Sequence, residues 1–313
     1  MNLPLIGGSA LVHDALARAR RAAPFPYPIL LTGETGTGKS TLARFIHDAG
    51  DGGRPFVGSG VPALGTLPLG TLAGHDRGAF TGAIANHRGL VEQAHGGSLF
   101  LDDINTATLE VQQLLLELVE TGQVRRLGGE RSVAVRVRLI TASNEPLEGL
   151  VARGAFKLDL YHRLSALPIH LPPLRQHPDD VPLIAAAVLS ELAPLHGPRT
   201  LDPAAVQRLK THTWPGNVRE LRNVLTRAVV FGGRERITPD DLELSSASCG
   251  RRLDLPGSAE ERGALALALR RELGSYNRVA EHLDVDLRTV HRWISAARKT
   301  HHRMTARPED DPA

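Results

Sequence analysis

Short apolar runs alternate with helical patterns through roughly the first 170 residues, the order that a parallel sheet covered by helices requires. Pro28-Ile29-Leu30-Leu31-Thr32 predicts a buried strand, and Thr41-Leu42-Ala43-Arg44-Phe45-Ile46 the helix after it. Ser98-Leu99-Phe100-Leu101 predicts a second buried strand ending in Asp102-Asp103. Val135-Arg136-Val137-Arg138-Leu139-Ile140 predicts a third, running into Thr141-Ala142-Ser143-Asn144. From Pro178 to Leu244 the pattern turns helical, with Asp202-Pro203 as an N-cap and first-turn proline and Gly216-Asn217 ahead of another helix. Ser245 to Gly257 has the composition of a linker. Leu265, Leu269 and Leu273 then recur at four-residue spacing, Val279 and Leu283 fall on a second helix, and Asp284-Val285-Asp286 turns into a last one. On that last helix Leu287, Val290, Ile294 and Ala297 share the core face.

This order implies an α/β fold with a parallel sheet over 1–172, a small helical lid subdomain over 173–244 and a linker over 245–257. A C-terminal all-α module over 258–299 and a disordered tail over 300–313 complete it. No internal repeat or long low-complexity tract interrupts the scheme. At 313 residues and 42% apolar content the chain has room for two or three domains with buried cores. Its 37 basic and 34 acidic residues leave a formal charge of +3, so any nucleic-acid surface must be local. The single cysteine, Cys249, excludes an internal disulfide and a cysteine-based zinc site. Met1-Asn2-Leu3-Pro4-Leu5 lacks the start of a signal peptide, and Val181 to Leu195 is shorter than the ~20 apolar residues of a spanning helix. A cytoplasmic protein with no membrane partner is the expectation.

Chemistry concentrates where the first strand ends. Gly33-Glu34-Thr35-Gly36-Thr37-Gly38-Lys39-Ser40 is a complete phosphate-binding loop between a strand and a helix. Its glycines let backbone N–H groups wrap phosphates at a helix N-terminus, Lys39 reaches the terminal phosphates of ATP, and the Ser40 hydroxyl suits Mg2+. Asp102, at the C-terminal end of the second strand, is the expected partner for that ion, and Asp103 the candidate for orienting water. Ser143 and Asn144 bring a hydroxyl and an amide to another edge of the same crevice. Arg219, early in the helix after Trp214-Pro215-Gly216, suits either a charge carried from the lid to the nucleotide or an ordinary surface ion pair.

Two further stretches point to macromolecular partners. Gly78-Ala79-Phe80-Thr81-Gly82-Ala83 lies between the phosphate loop and the acidic strand, and the small residues framing Phe80 offer no core around it. It predicts a mobile loop presenting an aromatic side chain. In the C-terminal module, nine Arg or Lys against four Asp or Glu between Arg262 and Arg303 give a local charge of +5 (9 − 4). Read as a helix-turn-helix, the module places Arg288, Thr289, His291 and Arg292 where base edges are reached, with Arg298 and Lys299 on phosphates.

The phosphate loop, the hexapeptide Gly78–Ala83 and Trp214-Pro215-Gly216-Asn217-Val218-Arg219-Glu220-Leu221 together resemble the sigma-54-dependent transcriptional activators, or bacterial enhancer-binding proteins. These are AAA+ ATPases. The resemblance covers about Leu5 to Leu244 and resumes in a Fis-like helix-turn-helix near residues 264 to 298. It implies that Gly78, Ala79, Phe80, Thr81, Gly82 and Ala83 engage sigma-54 RNA polymerase. It also implies that the last module binds enhancer DNA, and that ATP hydrolysis in a homo- or hetero-oligomeric ring, usually a hexamer, drives promoter opening. The family often carries an N-terminal receiver or ligand-sensing domain. Here the ATPase begins almost at Met1, so regulation is expected from elsewhere.

Departures from the family pattern cluster around hydrolysis. The strand ends in Asp102-Asp103 where the family has Asp-Glu, which draws the second carboxylate back by one C–C bond of about 1.5 Å. Misplacement of that size can cost roughly a hundredfold in rate. Gly60 aligns with an asparagine that hydrogen-bonds this acid. Lys157 stands for one of two arginines supplied in trans, with Arg163 as the other, and lysine lacks the planar fork. Asp284 replaces a turn glycine of the DNA-binding module. These residues imply a slow ATPase whose sites work best beside a partner subunit. The competing expectations are a nucleotide- and DNA-binding regulatory subunit or repressor with a degenerate ATPase, and a replication initiator or helicase loader, which leaves Phe80 without a role.

Overall fold

Five short strands, three of them in the predicted apolar runs, make one parallel sheet: β1 (Ile29–Thr32), β2 (Phe56–Gly60), β3 (Ser98–Asp102), β4 (Arg138–Ser143) and β5 (Leu167–His170), in the order β2-β3-β4-β1-β5. The computed structural model describes residues 6–233 and 235–244, together with Val290, Trp293 and Ile294. Side chains alternate across the sheet, and both faces are covered, which is why the central strands β1 and β3 are largely apolar. Ile29, Leu31, Phe100, Ile140 and Ala142 face a core closed by Ala15 and Ala19 of the helix Ala10–Ala22 and by Leu42 and Ile46 of the helix Lys39–Asp51. Leu30, Leu99, Leu101 and Leu139 face the opposite core. There Val111, Leu115 and Leu118 of the helix Leu109–Thr121 and Leu160 and Leu164 of the helix Leu158–Leu164 cover them. Burying each leucine stabilises by about 1.5–3 kcal/mol before entropy is counted.

The third predicted strand starts later than its pattern suggests, at Arg138 and not Val135. Ser132–Ala134 pairs instead with Gln123–Arg125 in a separate antiparallel hairpin, and the Val135 N–H donates to the Gly122 carbonyl at 2.8 Å. The Val-Arg-Val-Arg alternation conceals this because Arg138 is itself buried. Its guanidinium donates to the Ala23 and Ala22 carbonyls at 2.7 and 2.8 Å, closing the C-terminal end of the first helix.

The lid follows as Val181–His196, Pro203–Thr211 and Asn217–Gly232. Asp202 caps the middle helix by accepting the Ala204 N–H at 2.9 Å, with Pro203 in the first turn as the sequence predicts. Trp214 is buried among these helices, its indole N–H donating to the Leu209 carbonyl at 2.9 Å. Sheet and lid form one compact unit, Met1–Glu243, and Leu244–Ala313 forms another. In the second unit Val290, Trp293 and Ile294 are helical and buried at i, i+3 and i+4, the face expected for Val290 and Ile294. Arg288, Thr289, His291, Arg292, Arg298 and Lys299, the linker and the tail lie outside the described residues. Among the described residues no helix is long and apolar enough to cross a membrane.

Candidate nucleotide crevice and partner-contact loop

The phosphate loop leaves β1 and turns under the lid. Gly36 has φ 81°, and a Cβ there would run into the Gly216 carbonyl, so glycine is required for the loop to pass beneath the lid helix. Lys39 is only 6% exposed, and its ammonium donates to the Gly33 and Glu34 carbonyls at 2.8 and 3.0 Å. Burial lowers its pKa, against the opposing pull of Asp102 and Asp103. A desolvated cation held by neutral carbonyls is well placed to exchange them for phosphate oxygens. The Ser40 hydroxyl donates to Asp102 Oδ2 at 3.0 Å. A hydroxyl and a carboxylate meeting at the loop's helix are the hard-oxygen donors that magnesium takes.

Asp103 follows at the end of β3 with φ 54°, a left-handed conformation that Asp tolerates better than most residues. Its N–H donates to Asp102 Oδ1 at 3.0 Å, and its own Oδ1 accepts from Asn144 Nδ2 at 3.1 Å. Asn144 therefore holds the second carboxylate. Ser143, fully buried, donates to the Glu145 carbonyl at 2.5 Å, so its hydroxyl is engaged within its own turn. Gly60 sits beside Asp102 in the β2–β3 register, and a Cβ there would find nothing nearer than Pro62 Cδ at 3.8 Å. There is room for a side chain at position 60, and glycine leaves it unfilled.

Arg219 and, unforeseen in the sequence, Arg222 and Val218 line the crevice together with Lys39, Ser40, Asp102 and Asp103. Next to it lies an apolar pocket lined by Ile6, Val12, Leu171, His177 and Ile184, which shares Gly38 and Thr41 with the crevice and is suited to a planar base. Glu34, expected in the phosphate site, does not line the crevice. Its carboxylate pairs with Arg175, whose fork holds its pKa below the usual range. Lys157 and Arg163 are not brought to this crevice either. Lys157 Nζ donates to Gln113 Oε1 at 2.7 Å and Arg163 to Glu120 at 3.3 Å, both against the helix Leu109–Thr121.

The hexapeptide caps an antiparallel pair, Gly74–His75 with His87–Arg88. The expected loop folds as a turn: Ala83 N–H donates to the Phe80 carbonyl at 3.0 Å and Gly78 N–H to the Ala83 carbonyl at 2.9 Å. Phe80 is 38% exposed and leans edge-on against His75, ring centroids 4.9 Å apart. Thr81 is exposed, and Ile84, just past the hexapeptide, is 84% exposed.

The base of the pair is fastened to the Gln123–Ala134 hairpin, which the motif reading missed. Asp76 N–H donates to the Leu127 carbonyl and Leu127 N–H to the Gly74 carbonyl, both at 3.0 Å. Arg126 forks onto the buried Glu92 at 2.7 and 2.8 Å and reaches Asp76 at 3.3 Å. The Arg126 hydrogen bonds hold the Glu92 carboxyl below its usual range. Gly128 has φ 71° and lies where a Cβ would strike Ala79. In the sequence Glu92 simply follows Leu90-Val91 and precedes Gln93, a context that does not mark it as buried.

Comparison with known proteins agrees with this architecture. Residues 5–170 match the Sigma-54 interaction domain and residues 175–251 the AAA+ ATPase lid domain. The Nif-specific regulatory protein of Rhizobium leguminosarum bv. trifolii is 40% identical over 249 residues, covering 78% of this chain and 70% of that protein. The DNA-binding transcriptional regulator NtrC of Azospirillum brasilense is 37% identical over 285 residues, covering 90% of this chain and 59% of the relative. The chain spans 47% and 42% of two other Nif-specific regulatory proteins, from Azotobacter vinelandii and Azorhizobium caulinodans. NtrX from Brucella abortus, solved in complex with ADP, superposes with a TM-score of 0.72 at 30% identity, over 95% of this chain and 69% of that one. The same protein in complex with ATP gives 0.71 at 29% identity. With a family model matched across more than half its length and the lid beside it, the chain belongs to the sigma-54 interaction family of AAA+ ATPases.

Proposed function

We propose that the chain is the ATP-driven motor of a transcription activator that remodels sigma-54 RNA polymerase for promoter opening. The observation that carries this reading is a single domain holding both a braced nucleotide crevice and a closed turn that presents Phe80, Thr81 and Ile84 to solvent. Lys39 and Arg219 would both meet the phosphates, and Asn144 would hold Asp103 for the attacking water. Ser40 and Asp102 would hold Mg2+, which when bound neutralises phosphate charge. Lys157 and Arg163, held against the helix Leu109–Thr121 and outside their own crevice, would serve a neighbouring subunit's nucleotide in a ring. Enhancer DNA would be bound by the C-terminal module, with affinity falling steeply as salt rises.

The test is open-complex formation by purified sigma-54 polymerase with ATP, comparing the intact chain with Phe80→Ala. The variant is expected to hydrolyse ATP within about twofold of the parent, since Phe80 does not line the crevice, yet to lose open-complex formation by roughly a hundredfold, as for a central aromatic contact. Full promoter opening by Phe80→Ala would overturn the reading.

A further inference from the structure

Glu34 is a carboxylate inside a loop shaped for a polyanion, and electrostatics alone argues against placing one there. The structure shows what occupies it. Arg175 donates NH1 to Oε2 at 2.7 Å and NH2 to Oε1 at 2.6 Å, a parallel fork, and Asn217 Nδ2 reaches the same carboxylate at 3.2 Å. Asn217 also donates to the Thr35 carbonyl at 3.0 Å and accepts the Leu174 N–H at 2.7 Å. It is fully buried, with φ 52°, at the first position of the lid helix Asn217–Gly232. Both ends of its amide are therefore in use, which neither Asp nor Leu could reproduce. Arg175 belongs to the single turn Leu174–Gln176 that joins β5 to the lid. One residue beyond Asn217, the Val218 N–H donates to the Gly36 carbonyl at 3.0 Å, and the next residue is Arg219, in the crevice wall.

We propose that Glu34, Arg175 and Asn217 are positioning residues that clamp the start of the lid helix to the phosphate loop and so hold Arg219 over the phosphate site. The clamp acts through Arg219 and Val218, and its own three side chains stand outside the crevice. It accounts for a carboxylate in the phosphate loop: Glu34 is neutralised by a fork from the lid side, so loop and lid are one charge-paired body. The functional part of this proposal rests on the nucleotide reading above, whereas its structural part does not.

Two measurements on the full-length chain test it, using Glu34→Gln, Arg175→Met, Arg175→Lys and the Glu34→Gln/Arg175→Met double variant. Both Glu34 and Arg175 are substantially exposed, so all four variants are expected to fold. Without nucleotide, hydrogen exchange over residues 214–221 is expected to speed up about tenfold in Arg175→Met, less in Arg175→Lys, and not at all over the lid helix Pro203–Thr211. Unchanged exchange, or an equal rise across the whole lid, would overturn the clamp. With a fluorescent ADP analogue, Glu34→Gln and Arg175→Met are each expected to release nucleotide about fivefold faster, and the double variant no faster than the faster single. Simple Coulomb repulsion predicts the opposite sign for Glu34→Gln, so tighter binding, or multiplicative effects in the double variant, would sink the clamp. Failure of the parent chain to bind the ADP analogue would count against the nucleotide reading instead, and hydrogen exchange would still decide the clamp.

Discussion

At the nucleotide crevice the charged groups are held by neutral partners, Lys39 by two loop carbonyls, Asp102 by Ser40 and Asp103 by Asn144, and just outside it Glu34 is held by Arg175. At the tip of the 74–88 hairpin Phe80 has one ring neighbour, His75, while Thr81 and Ile84 face solvent. The ionic ties of the hairpin lie lower down, in the Arg126 fork to Glu92 and its bond to Asp76. The contrast is physical. A site that must discriminate small charged groups is preorganised, because reorganisation at the moment of binding weakens each hydrogen bond. A surface that meets a large partner needs exposed apolar area on a base firm enough to transmit displacement. The ties also differ in environment: the Glu34–Arg175 pair is about half exposed, whereas Glu92 is 6% exposed.

The largest effect should come from breaking the crevice alone. Lys39→Ala removes a partly desolvated cation and is expected to weaken ATP binding by about 3 kcal/mol, roughly a hundredfold. Titration of a fluorescent nucleotide measures it, and unchanged proteolytic cleavage within 76–86 would show that the hairpin does not depend on the occupied lysine. A smaller change sharpens the crevice itself. Asp103→Glu extends the carboxylate by about 1.5 Å toward the site and is expected to raise steady-state ATP turnover about tenfold with little change in KM. Unaltered turnover would place the limit elsewhere, at the unfilled space beside Gly60 or at Lys157.

How much of this was open to reading differs between the two regions. The phosphate loop was legible because its chemistry is local: a strand, three glycines, a lysine and a helix in one stretch of chain. The three central strands are legible for the same reason, although Arg138 hides the start of β4 by being a buried charge; the edge strands β2 and β5, with Gly58, Ser59, Pro168 and His170, carry no continuous apolar run. The ties that join distant segments left almost no mark. Glu34 meets Arg175 from 141 residues away and Arg126 meets Glu92 from 34, and no periodicity announces either partner. Phe80 was correctly singled out as an aromatic outside the core. Its contact with His75 and the closed turn that carries it depend on backbone hydrogen bonds that composition does not encode.

The smallest effect separates the hairpin's foundation from the crevice by pH. Glu92 is an acid whose pKa in the folded chain lies below the ordinary 4.5, because Arg126 bonds its ionised form. Such a group adds stability above its unfolded pKa, and that stability is lost as pH falls through the depressed folded value. Glu92→Gln should therefore destabilise at pH 7 by about 1 kcal/mol, since Arg126 loses its main counter-charge but keeps an amide oxygen to bond, discounted for the partial exposure of that side chain. The difference from the parent should shrink as pH falls below the ordinary 4.5 and through the depressed folded value, where the parent loses the same charge. Thermal melts across that range measure it. Moderate salt supplies the contrast with the other region, since screening should loosen the exposed Glu34–Arg175 pair while leaving the buried Glu92 pair nearly intact. A Glu92→Gln penalty that persisted undiminished in acid would mean that packing at position 92, and not its charge, anchors the hairpin.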